Sequence, residues 1–324
     1  MNRQQFLFSL GSVAASSLVA SVAWAQSFPT KPIKIVVPFG AGGVADLTAR
    51  ALAQKLTESL GQSVIVDNKP SAGGIVAGDL VAKADADGHT LLLMSNGTAV
   101  STGLFKSLPF DAQKDFAPIS TLATFDIALV AQEGGKFKTA QELIAFAKAN
   151  PGKLNVGTIN IGSTQNLAAE LIQAAGGFDF SVVPFRGTPD VIAALRGGTV
   201  DAAVEILGPM MGQINAKAVR ALAVMGEKRA AKLPDVPTLR ELGVTGATAS
   251  SWNALAAPAK TPRDVIAKLN KAVQDAMNSP DLKAKLSELN VDAQSSSPEA
   301  LAQLLASETR RWGDVIVRAK IEKQ

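Results

Sequence analysis

Cysteine and tyrosine are absent from this sequence, and histidine occurs once, at His89. Without cysteine there is no disulfide, no thiolate nucleophile, no cysteine-ligated metal and no lipoprotein attachment. One histidine cannot make a His-Glu-x-x-His zinc helix, and no Gly-x-Ser-x-Gly nucleophile elbow occurs. No group of acidic residues is spaced for a metal, so hydrolase and metalloenzyme chemistry has no specific signal; a Ser–Lys or carboxylate pair stays open. His89 follows Gly88 at the end of a turn and reads as a solvated loop residue. Charge of one sign is scarce too. Lysine and arginine total 32 against 28 acidic residues, a net +4, with the basic residues scattered and never interleaved with aromatics. That argues against a nucleic-acid partner.

Apolar residues are plentiful. The chain of 324 residues is 47% hydrophobic with a mean hydropathy of +0.18, enough for a large core and, by length, about two domains. Part of that content lies at the N-terminus. Arg3 precedes an apolar run from Phe6 to Val22, and Ala23-Trp24-Ala25 is a small-x-small cleavage site. The expectation is a signal peptide over residues 1–25, cut near Ala25. Gly11 and several serines break the run, and no basic stop follows it, which speaks against a membrane anchor. One arginine, not a pair, points to the general secretory route. No other stretch nears the length of a membrane span. An exported chain without cysteine suits a bacterial periplasm, because a large core makes disulfides unnecessary.

The most informative stretch runs from Ile33 to Asp46. Ile33–Val37 is a β-rich run with one lysine, and Pro38 cannot donate a ladder hydrogen bond, so a strand ends there. From Val44 onward, Val44, Leu47, Ala51, Leu52, Leu56 and Leu60 follow the spacing of one helix face. Gly40, Gly42 and Gly43 stand between them with no Cβ to keep a ligand from the backbone. The first turn of a helix has unpaired N–H groups and about half a positive charge. This turn is therefore a candidate anion site.

Strands at 63–67 and 90–94 and a helix at 75–84 continue a β-α-β-α-β order with nearly continuous apolar strands, which predicts a parallel sheet covered on both faces. Leu108-Pro109-Phe110 and Phe116-Ala117-Pro118 read as punctuation. A second unit opens with a strand at 127–131 and a capping box, Thr139-x-x-Glu142, ahead of a helix over 140–149. A strand at 154–159, the turn Asn160-Ile161-Gly162-Ser163-Thr164 and a helix repeat the opening arrangement. Further strands are expected at 182–185, 200–206 and 219–224, with a helix starting at Thr188-Pro189-Asp190. Residues 251–257 read as a strand returning to the first unit. Three C-terminal packing helices start at Thr261-Pro262, Ser279-Pro280 and Ser297-Pro298. The expected division is 26–126 plus 251–324 as domain 1 and 127–250 as domain 2.

Two functional readings compete. Gly40-x-Gly42-x-x-Ala45 with Asp67 at the end of the next strand matches a dinucleotide fingerprint, which would make the protein an oxidoreductase. The export signal and the bulky Phe39 oppose that. The other reading is binding: two units each place a helix N-terminus at the carboxyl end of a strand, where open α/β sheets hold ligands. Facing each other, the two turns would grip a small dianion. Ser163-Thr164 also suits an ordinary N-cap, and Arg186 also suits a pair with Asp190 or Glu205.

The ordered motifs resemble a known family. Pro29-Thr30-Lys31-Pro32-Ile33, Val36-Val37-Pro38-Phe39-x-Ala41-Gly42-Gly43-x-x-Asp46 and Asp67-Asn68-Lys69-Pro70-x-Ala72-Gly73-Gly74 are similar to the Bug family of extracytoplasmic solute receptors, the binding components of tripartite tricarboxylate transporters. The likeness continues through Asp87-Gly88-His89-Thr90-Leu91, Gly162-Ser163-x-x-Asn166-Leu167, Pro184-Phe185-Arg186-Gly187, Gly197-Gly198-x-Val200-Asp201, Leu233-Pro234-Asp235-Val236-Pro237-Thr238 and Pro258-Ala259-x-Thr261-Pro262.

The resemblance implies a two-domain, periplasmic-binding-protein-like (Venus flytrap) α/β fold, each domain a mainly parallel sheet flanked by helices. It implies a receptor, not an enzyme, that needs no cofactor. It would be a monomer closing on a carboxylate-bearing solute, often with bridging waters, and serving membrane permease subunits. By position, the first-domain contacts would be Phe39, Ala41, Gly42, Gly43 and Asp46, with Ser95, Asn96 and Thr98. Across the cleft they would be Ser163, Thr164, Asn166, Arg186, Gly187 and Glu205. Three positions depart from the family pattern. Asn166 replaces the usual histidine, Glu205 replaces a common aspartate, and Thr188-Pro189 stands where a small residue often precedes a proline-alanine pair. A receptor that reports to a membrane sensor kinase would use the same pocket.

Overall fold

A computed structural model describes residues 28–324 apart from Asn290 and Ala319. The expected signal peptide lies outside the described residues. The chain forms β1 (Ile33–Val37), α1 (Val44–Leu60), β2 (Val64–Asn68), α2 (Ile75–Ala82), β3 (Thr90–Ser95) and α3 (Asn96–Leu104). Then come β4 (Phe116–Gln132), α4 (Ala140–Ala149), β5 (Asn155–Ile159), α5 (Thr164–Gly176), β6 (Ser181–Phe185), α6 (Thr188–Arg196), β7 (Ala202–Ile206), α7 (Leu207–Asn215) and β8 (Val219–Val224). The last part is β9 (Ser250–Pro258), α8 (Arg263–Asn278), α9 (Pro280–Glu288), β10 (Asp292–Ala293) and α10 (Pro298–Arg318).

Two mixed sheets share one strand. In the first, β1 lies between β2 and β3 in parallel, and β9 joins β3 antiparallel. In the second, β5 lies parallel to β6 and β7. Strand β4 connects them: Phe116–Asp126 pairs with β9 in the first sheet, and Ile127–Gln132 pairs with β7 and β8 in the second. The sequence predicts only the second half of β4, because Phe116-Ala117-Pro118 reads as a break. Pro118 has no N–H to give the ladder, and the register with β9 shifts just after it, between Pro118 and Ser120. A bulge is where a strand tolerates proline.

Alternation places the core on both faces. Leu91 and Leu93 of β3 pack into one cluster with Leu52, Leu56 and Trp312, while Leu92 and Met94 face another with Val36, Trp252 and Leu301. Helix α1 buries Ala45, Ala49, Leu52 and Leu56 along one stripe and ends at Gly61, whose φ of 67° suits a residue without Cβ. The capping box of α4 forms as expected, with Thr139 and Glu142 exchanging hydrogen bonds. Two helices, α3 and α7, have no counterpart in the sequence reading, which treats Ser95–Thr98 as a strand end. Ser95 is the N-cap of α3, taking the Gly97 N–H, while Thr98 Oγ1 takes the Ser95 N–H at 3.2 Å.

The C-terminal helix ties the first sheet to the start of α3. Trp312 is fully buried, and its Nε1–H is shared between Asn96 Oδ1 at 3.0 Å and Glu308 Oε2 at 3.1 Å. His89 is also buried, which corrects its reading as a solvated residue. Its Nε2 accepts the Thr30 N–H, and its ring lies 4.9 Å from that of Phe28, so it orders the entry into β1. Replacing Trp312 by alanine (Trp312→Ala) is expected to cost about 3–5 kcal/mol of unfolding free energy, read by urea titration of the purified protein. A loss under ~1 kcal/mol would show that α10 is not part of the cooperative core.

Candidate functional site

The carboxyl ends of β1, β5, β6 and β7 all meet where the two lobes face each other. A short turn after β1, β5 and β6 leads into a helix, and β7 passes directly into one, so four helix N-termini lie at the junction. Helix α1 starts after Gly43 and α6 after Gly187, both without a side-chain cap, and α7 follows Ile206 with none. Ser163 caps α5 by accepting only the Asn166 N–H. A space of about 30 Å³ lies between these turns, lined by Phe39, Gly43, Ser95, Thr164, Gly187 and Ser251, among others. That is room for about two water molecules. None of the residues lining it is charged.

The lobes touch around this space. A Cβ on Gly40 would sit 3.0 Å from the Arg186 carbonyl oxygen, and one on Gly43 would sit 3.3 Å from Thr188 Oγ1. Gly162 holds φ at 81° with its missing Cβ 2.9 Å from Gly73 Cα, so the two turns meet backbone to backbone. The Gly73 N–H donates to the Ile161 carbonyl at 2.8 Å, and Asn160 Nδ2 donates to the Ser71 carbonyl at 2.6 Å. Thr164 and Ser251 share a hydroxyl–hydroxyl bond of 3.1 Å.

Among the expected contacts, the structure gathers Phe39, Gly43, Ser95, Thr164 and Gly187 around the main space. Thr98 lines a smaller adjoining one of about 10 Å³ that also touches Phe39, Ser95 and Gly162. Ala41 and Gly42 are exposed on the rim, Gly42 against the Pro189 ring. Asp46 is engaged elsewhere: its carboxylate accepts the Gly42 N–H at 2.9 Å and pairs with Arg50, which clamps the turn. Burial alone would raise that carboxyl, yet the hydrogen bonds from Arg50, Gly42 and Asn68 outweigh it and hold it below the ordinary aspartate range. Asn96 turns inward to Trp312, and Asn166 bonds to the Gly162 N–H and Thr158 Oγ1 inside its own turn. Ser163 is buried as a cap. Arg186 is exposed on an outer groove with Ser71 and Asp190, and among the described residues it forms no ion pair with Asp190 or Glu205.

Glu205 lies directly behind the wall. It is fully buried on β7, and its Oε2 accepts Gln165 Nε2 at 3.3 Å, Thr188 Oγ1 at 3.4 Å and the Ile206 N–H at 3.0 Å. Oε1 has no partner. Burial pushes the carboxyl up to about 7 against the three hydrogen bonds, and no charged neighbour contributes. Gln165, Thr188, Ile206 and Ser251 also line the space and were not anticipated. The sequence marks Thr188 as a helix start and as a departure from the family pattern, and nothing in it marks Gln165, whose side chain reaches the site because α5 turns it there.

The profile of the family described as tripartite tricarboxylate transporter family receptor matches residues 48–321. The chain belongs to that family. Protein BugT of Bordetella pertussis is 33% identical over 318 residues, 98% of each chain. The solved periplasmic binding protein BugD superposes with a TM-score of 0.88 at 31% identity, covering 92% of this chain and all of that one. MatC from Rhodopseudomonas palustris, solved with bound malate, gives 0.85 at 33% identity over 89% of this chain and all of that one. The molecule is thus a Bug-type solute-binding receptor with a two-domain binding-protein fold, not a dinucleotide oxidoreductase. In keeping with that, Asp67, which a dinucleotide site would aim at a ribose, pairs with Lys69 at 3.2 Å and Lys34 at 3.8 Å. No helix among the described residues is long and apolar enough to cross a membrane.

The raised Glu205 gives the receptor a distinct pH response. With an ordinary value of 4.5 in the unfolded chain and about 7 when folded, the native state holds a proton that the unfolded state has lost between these limits. The contribution to stability is therefore complete below pH 4.5 and is lost as pH rises through 7. Urea unfolding of wild type and Glu205→Gln across this window should show a steeper decline for wild type; equal slopes would contradict the assignment.

Proposed function

We propose that this receptor is periplasmic, released from its signal peptide near Ala25, and captures a small organic anion bearing a carboxylate for the permease subunits of a tripartite tricarboxylate-type transporter. The observation that carries this is the convergence of helix N-termini from both lobes on one shared space with no charged side chain on its wall. Backbone N–H groups at helix starts bind anions, each charge-assisted bond contributing about 1.5–3 kcal/mol. The malate bound to MatC is an anion of this kind. We take residues 26–126 with 251–324 as one lobe and 127–250 as the other, with the hinge where β4 passes between sheets and where the chain enters β9. The solute enters when the lobes swing apart. Closure is favoured by contacts that exist only when both turns hold it. A few charge-assisted bonds and waters correspond to roughly micromolar binding, on the order of −8 kcal/mol. The receptor acts as a monomer.

Thermal denaturation against a panel of carboxylates and NAD tests this reading. A bound carboxylate at a hundredfold excess over its Kd should add about 2.7 kcal/mol, raising Tm by several degrees. Stabilisation by NAD with no response to any carboxylate would overturn it, and solute uptake in a deletion strain separates transport from signalling. Gly162→Ala places a methyl against the Gly73 backbone at positive φ and hinders closure. Its affinity for the stabilising carboxylate should fall at least about tenfold, ~1.4 kcal/mol, as read by titration calorimetry.

A further inference from the structure

The wall of the space on the β5 side has a fixed polarity. Gln165 gives one of its two Nε2–H groups to Glu205 Oε2, and among the described residues no donor meets Gln165 Oε1. Thr188 likewise gives its hydroxyl hydrogen to Glu205 Oε2, leaving its lone pairs free where Oγ1 faces the Gly43 turn across the cleft. Both residues line the space. Glu205 therefore fixes the Thr188 hydroxyl as an acceptor and holds the Gln165 amide in the orientation that leaves Oε1 unpaired, with one Nε2–H still free. Oε2 takes all three donors and Oε1 none, so a proton on this carboxyl resides on Oε1 and leaves the two bonds intact in either charge state.

These acceptors sit in the first turns of α5 and α6, whose N–H groups stand ready for a carboxylate. The two polarities adjoin within one space of about 30 Å³. A solute that satisfies both must carry its donor close to its carboxylate. A plain carboxylate would leave the acceptors unpaired on closure, and an unpaired buried polar group costs about 1–3 kcal/mol.

We propose that Glu205, acting through Gln165 and Thr188, makes this receptor selective for a carboxylate with a hydrogen-bond donor, hydroxyl or ammonium, on the adjacent carbon. Glu205 is a positioning residue here, and the selectivity rests on the carboxylate reading above. Titration calorimetry with three matched series provides the test: propionate, lactate and alanine; succinate, malate and aspartate; glutarate, 2-hydroxyglutarate and glutamate. In whichever series binds, the donor-bearing member should bind at least about tenfold more tightly than the unsubstituted one. The hydroxyl and ammonium arms tell the two donors apart. Glu205→Gln can donate to Gln165 Oε1 and let that amide turn its N–H to the cleft, so the ratio should collapse toward one. Gln165→Leu should lower it too, with circular dichroism confirming both folds. Equal or tighter binding of the unsubstituted member, or a ratio unchanged in both folded variants, overturns the donor requirement while leaving the carboxylate reading standing. No binding in any series removes the carboxylate reading and this selectivity with it.

Discussion

Two layers of backbone have to approach within van der Waals distance for this site to exist, and that close approach governs the rest of the design. Helix starts in both lobes offer N–H groups that their own helices cannot satisfy. To surround one small anion they must converge, and side chains at the turns would hold them apart. Gly40 against Arg186, Gly43 against Thr188 and Gly162 against Gly73 show how little room there is. The sheets serve this geometry. Strand β1 of the first sheet and strands β5, β6 and β7 of the second release their chains toward the same junction, and β4 carries one lobe directly into the other.

The space between the lobes has no cation among its lining residues. A lysine or arginine at the wall would hold any anion strongly and with little discrimination, whereas oriented amides act over one or two bond lengths and reward shape. The two acidic groups nearest the turns illustrate the difference. Asp46 is ionised, clamped by Arg50 and the Gly42 N–H, and shapes its loop from behind. Glu205 is buried without a cation, and its influence passes through the amide and hydroxyl that it orients.

Much of this was legible in the order of residues. Ile33–Val37, the glycines after Pro38 and the apolar stripe from Val44 specify strand, turn and helix by local rules, and the motifs shared with the receptor family run from Pro29 to Pro262. Local rules failed where tertiary context took over. Pro118 looks like a break yet sits at a bulge inside β4, because the neighbouring strand β9 supplies the remaining ladder. Ser95–Thr98 looks like a strand end yet caps α3, which Trp312 holds in place from the far end of the chain.

The sequence alone determined most of the secondary elements, the two small-residue turns and the kind of ligand suited to helix N-termini, since these follow from spacing and residue type within a few positions. Only the tertiary structure decided which side chains face the space between the lobes. Asn96, Asn166 and Arg186 are turned away by partners or by the packing of their elements, and Gln165, Thr188 and Ser251 are turned toward it. Side-chain direction depends on neighbours distant in the chain, and no local pattern encodes it.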